Sequence, residues 1–75
     1  MTTINVKYGT ENYNHTANGN VTVGDILRNN TVKAVLGFGD NVKGLVNGVE
    51  MSVETQLTDG TELVVETKAN SKATA

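Results

Sequence analysis

Among the side chains able to do chemistry, His15 stands alone: it is the single histidine in 75 residues. A general base needs an orienting carboxylate, and a metal ligand needs further donors around the same ion. Glu11 is the nearest acid in sequence, and no other metal-type residues accompany the pair. A strand-surface or hairpin-edge histidine accounts for His15 more simply; a metal or small-molecule site near it is the competing reading. Glu62 and Glu66 fall on one face of an alternating run, but four strand residues put them roughly 13 Å apart, too far for a working carboxylate pair. Glu50 and Glu54 sit near a hairpin signal and read as a solvated face. The glycines Gly37, Gly39 and Gly44 match neither the Walker phosphate loop nor the dinucleotide fingerprint, because no helix follows at the needed spacing. Turn and helix-end roles explain them. No serine has a histidine and a carboxylate arranged around it in a readable motif. The sequence therefore assigns no catalytic, cofactor-binding or metal-binding residue, and it reads as a binding protein, not an enzyme.

The elements that position these residues are mostly strands. Thr3 to Tyr8 alternates, with Ile4, Val6 and Tyr8 on one face and Thr3, Asn5 and Lys7 on the other. Gly9 to Asn12 is a turn, and Tyr13 to Ala17 alternates again, so the two runs predict an N-terminal hairpin. Thr22-Val-Gly-Asp25 fits a capping box, with Val23, Ile26 and Leu27 following at helical spacing. Asn29 and Asn30 weaken the helix, leaving open one bent element or two pieces. In the second case Thr31 caps a turn through Val32, Val35 and Leu36, and Gly37 stops it. Phe38 is expected to tuck under the following loop. Val42 to Val46 is a strand, and Asn47-Gly48 is a strong hairpin signal leading to Val49 to Met51. Ser52 to Gln56 reads as a crossing segment anchored by Val53 and Leu57. Asp59-Gly60 turns the chain into a last strand, Thr61 to Lys68, with Leu63, Val65 and Thr67 on one face and Glu62, Val64 and Glu66 on the other.

The bulk numbers narrow the classes. A chain of 75 residues is one domain, expected over 1–68 with a flexible C-terminal tail over 69–75. It contains no cysteine, so neither a disulfide nor a thiolate zinc site is available, which suits the cytoplasm. The start, Met1 to Lys7, has no basic and apolar signal pattern, and no apolar run approaches the roughly 20 residues that span a bilayer. Net charge is -2 from six basic and eight acidic residues, without a basic cluster. Nucleic acid is thus set aside as a main partner, and no membrane partner is expected.

A hairpin, a helix and further strands make an α+β fold with one helix-covered sheet face. The order strand, strand, helix, strand, strand, strand defines a β-grasp, here a mixed four- to five-stranded sheet packed on one helix. Three segments resemble the ubiquitin-like sulfur carriers of thiamine and molybdopterin biosynthesis, ThiS and MoaD. Thr22 to Leu27 is similar to the start of their helix, Gly44 to Glu50 to their central strand and Asn-Gly hairpin, and Leu57 to Val65 to their last turn and strand. The resemblance spans about residues 22–67. Those carriers end in Gly-Gly, whose carboxylate is activated; here the last glycine of the sequence is Gly60. The resemblance thus implies the scaffold, and sulfur transfer or conjugation is the alternative to a non-catalytic role.

If Ile4, Val6, Val46, Leu63 and Val65 face the helix, alternation places Lys7, Lys43, Leu45, Val64 and Glu66 on the outer face. Leu45 and Val64 are then exposed apolar residues ringed by charges. In ubiquitin-like folds partners commonly dock on this face, so the resemblance implies a protein-binding site there. The Tyr13–Ala17 edge is a second candidate, for strand addition. The expected function is an adaptor or an inhibitor of the kind small viral proteins often are. Such a module acts as a monomer or weak dimer through contacts with another protein.

Overall fold

A computed structural model describes residues 1–68. The tail expected over 69–75 lies outside the described residues. Strands β1 (Thr2–Tyr8) and β2 (Glu11–Ala17) form the N-terminal hairpin. The turn is tighter than expected, because Gly9 takes φ 63° and Tyr8 already pairs with Glu11. A short β3 (Val21–Thr22) leads into α1 (Val23–Leu27) and α2 (Asn30–Leu36). Then follow β4 (Val42–Val46), β5 (Val49–Met51), β6 (Gln56–Leu57) and β7 (Glu62–Thr67). The main sheet has the order β2-β1-β7-β4-β5, with β1 and β7 parallel and the other neighbours antiparallel. This is the β-grasp: the first and last long strands lie side by side at the sheet's centre, and the helices cover one face.

Helix α1 begins as its capping box requires. Thr22 Oγ1 accepts the Asp25 N–H at 3.1 Å, and Asp25 Oδ2 accepts the Thr22 N–H at 3.1 Å. The helix is two pieces. Asn29, not Thr31, caps the second: its backbone is extended and its Oδ1 accepts the Val32 N–H at 3.1 Å. An N-cap side chain must reach the N–H three residues on, and Asn29 is placed to do so at the break. Val35 is on the outward side of this helix, 52% exposed, while Val32 and Leu36 are buried.

The segment between β5 and β6 corrects a second expectation. Val53 is 44% exposed, and its side chain stands outside the buried core. Its carbonyl does the work instead: Val53 O accepts the Gly24 N–H at 2.8 Å, and Thr55 O accepts the Val23 N–H at 2.9 Å. Two orphan donors of the α1 N-terminus are thereby satisfied. The same approach brings Val21 opposite Leu57 in the small β3–β6 sheet, which buries both.

Ile4, Val6, Val23, Ile26, Val32, Leu63 and Val65 are fully buried between the sheet and the helices. Gly44 is not a turn residue. It lies in the middle of β4, where a Cβ would stand 2.8 Å from Val23 Cγ1 and 3.0 Å from Leu63 Cδ1. A strand glycine here admits α1 directly onto the sheet. Phe38 is 5% exposed and packs its ring on Tyr8, centroids 5.4 Å apart and tilted 57°.

Candidate functional site

The outer face of the sheet is built by alternation along five strands, and its register is now fixed. Lys7 on β1 pairs with Val64 on β7, Val64 pairs with Leu45 on β4, and Leu45 pairs with Glu50 on β5. One row thus crosses four strands as Lys7, Val64, Leu45, Glu50. One step toward the carboxyl end of β7, Glu66 faces Lys43; one step the other way, Glu62 faces Asn5. All five residues expected at this site, Lys7, Lys43, Leu45, Val64 and Glu66, fall on one surface, with charge on every side of the apolar pair.

The pair is less exposed than expected. Leu45 and Val64 are half-buried, as directly opposed side chains cover one another. The flank on one side is held in place: Lys7 Nζ lies 2.8 Å from Glu62 Oε2, a diagonal contact between β1 and β7. Both partners are about half exposed, so this ion pair orients the rim more than it stabilises the fold. Glu62 and Glu50 belong to the face and were missing from the expected set. The alternation along β7 already put Glu62 beside Val64; Glu50 emerges only from the β4–β5 register.

His15 is not a surface residue of this face. It points to the helix side of the sheet with Tyr13 and Ala17, half-buried and in register with Ile4. Among the described residues no group of three or more His, Cys, Asp or Glu could hold a metal ion, and no pocket is formed. Asp40, paired with Lys33, is held below the usual carboxylate range, first by the hydrogen bond from Lys33 and then by its charge. That pair joins α2 to the following loop and lies away from the outer face. What the outer face offers is a small apolar centre with opposite charges around it, one pair of them joined, a surface suited to contact and without the concavity that small-molecule sites need.

Comparison with known proteins gives the fold and little else. No family model matches the chain, and no curated protein matches it. Among solved structures, the crystal structure of ATBAG1 in complex with HSP70 superposes with a TM-score of 0.74 at 13% identity, over 92% of this chain and 41% of that one. The solution structure of the ubiquitin-like domain of an Arabidopsis thaliana protein superposes with a TM-score of 0.67 at 16% identity, over 99% of this chain and 84% of that one. The chain thus spans about two fifths of the first of these. At such identities the likeness concerns architecture: the chain has a ubiquitin-like β-grasp fold.

Proposed function

We propose that this chain is a non-catalytic ubiquitin-like module that binds another protein through the outer sheet face, with Leu45 and Val64 as its centre. The observation that carries the proposal is the cross-strand Leu45–Val64 pair, an apolar contact set directly between the Lys7 and Glu50 positions. An apolar centre with a charged rim is the anatomy of a protein contact site: the centre supplies burial and the rim supplies orientation. The structure of ATBAG1 in complex with HSP70 contains a similarly folded region, about two fifths of its chain, within a protein complex, which supports this class of role. An adaptor or an inhibitor is the form of this role that we propose, and from ThiS and MoaD we carry over the scaffold alone.

The test is capture from host extract with wild type and with Leu45→Asp/Val64→Asp. The double variant places two like charges opposite each other and is expected to lose the captured protein while its circular dichroism stays unchanged. A folded double variant that captures the same protein equally well overturns the assignment.

A further inference from the structure

The main sheet has two edges, and only one of them is guarded. At one side β5 is three residues long, too short to template much of a neighbour. At the other, β2 runs for seven residues, and its pairing with β1 continues without a bulge from Ala17 to Glu11. It contains no Lys, Arg or Pro, the residues with which natural edges repel another strand.

The free hydrogen-bonding groups of β2 can be located. The Asn5 N–H donates to Thr61 O at 2.9 Å and the Gly60 N–H donates to Thr3 O at 2.8 Å. Thr3 and Asn5 therefore turn their backbone toward the β7 side, and Ile4 and Val6 turn theirs toward β2. Their opposite residues, His15 and Tyr13, bond inward. Asn12, Asn14 and Thr16 are left with outward N–H and C=O groups.

We propose that β2 pairs antiparallel with β2 of a second copy of this chain, about a two-fold axis at Tyr13. In this register Asn12 faces Asn14 of the second copy, and their outward groups bond. Glu11 faces His15 of the second copy in a non-hydrogen-bonded pair, where side chains come closest. Glu11 is the one acid on β2 and His15 the one base, and both lie on the same face. The two-fold axis makes them complementary twice over. An axis at Asn14 places Glu11 opposite Ala17 and His15 opposite Tyr13, so the carboxylate meets no imidazole N–H. The pairing of a carboxylate acceptor with an imidazole N–H donor thus selects the Tyr13 axis and a second copy as the occupant. The joined product is one continuous sheet, and it uses none of the outer-face residues of the proposed docking site.

Sedimentation velocity over a dilution series tests this. Wild type is expected to pass from monomer to dimer with concentration. Glu11→Lys is expected to raise the dissociation constant several-fold, and Glu11→Lys/His15→Glu to restore it. Asn14→Pro removes an outward N–H without touching the bonds to β1 and is expected to give monomer. Should that variant fail to fold, the charge swap still decides. A monomeric mass at every concentration overturns the proposal, as does a dimer that Glu11→Lys leaves unchanged or that Leu45→Asp/Val64→Asp abolishes.

Discussion

Asp59 and Thr3 close the sheet across 56 residues of chain: Asp59 Oδ1 accepts the Thr3 backbone N–H at 2.8 Å. The next residue answers in the opposite sense, since the Gly60 N–H donates to the Thr3 carbonyl at 2.8 Å. The Asp59-Gly60 turn is therefore a clasp on β1 as well as a reversal before β7. It fixes the parallel register that sets Lys7 beside Val64.

Removing the clasp should loosen the central strand pair. Asp59→Ala is expected to cost about 1 kcal/mol, the net worth of a hydrogen bond at a solvent-accessible site. Asp59→Asn keeps an acceptor oxygen and should recover most of it. Urea unfolding of the three proteins measures both effects. Equal midpoints for wild type and Asp59→Ala would show that the turn holds without its side chain.

Two glycines should resist alanine for different reasons. At Gly44 a methyl group meets Val23 and Leu63, both fully buried, and overpacking of this kind costs roughly 1–3 kcal/mol. At Gly24, alanine should gain about 1 kcal/mol of helix propensity. There a Cβ would lie 3.0 Å from the Val53 carbonyl oxygen, which also accepts the Gly24 N–H. Moving that carbonyl weakens the bond, so Gly24→Ala is expected to be destabilising overall. Thermal unfolding of both variants checks this; a raised midpoint for either contradicts the close approach.

The strands were legible because side-chain alternation and the Asn47-Gly48 and Asp59-Gly60 turns are local signals. Asn47 at φ 54° and Gly48 at φ 81° adopt the left-handed conformations that such a hairpin needs. The outer face was legible for the same reason, since parity along β4 and β7 suffices to collect Lys43, Leu45, Val64 and Glu66. The β3–β6 pair was not, because two-residue strands carry no period and exist through contacts between distant segments. Val53 misled for a related reason: a valine in a crossing segment suggests an apolar anchor, whereas the structure uses its carbonyl. His15 was read as a strand-surface or hairpin-edge residue, and it does lie on the edge strand; that it turns to the helix side was not legible, because one-sided alternation in Tyr13 to Ala17 cannot say which face the helices cover.

Asp40 supplies a prediction in pH. Lys33 lowers its carboxyl group from the ordinary value, so the ion pair stabilises the fold above the unfolded-state value and loses that contribution as pH falls through the folded-state one. Lys33→Gln should let Asp40 titrate closer to an ordinary aspartate and should make stability less sensitive to acid in that window. Carbon-detected NMR titration of the Asp40 carboxyl in both proteins is the measurement. An unmoved titration midpoint removes Lys33 as the cause.

Asn5 poses the sharpest question about the outer face. Its Oδ1 is buried without a hydrogen-bond partner, and the residue sits opposite Glu62 on that face, next to the row that contains Leu45 and Val64. Such an acceptor costs on the order of 1 kcal/mol or more, and asparagine is a poor strand residue. Asn5→Val is therefore expected to raise stability by about 1 kcal/mol, which for a domain of this size moves Tm by roughly 5 °C. A lower Tm would mean that Asn5 has a partner after all. If the variant is more stable yet captures less of the protein bound through Leu45 and Val64, the residue's cost to the fold is tied to recognition, as expected where function overrides local preference. Increased stability with undiminished capture would instead make Asn5 a local defect outside the contact.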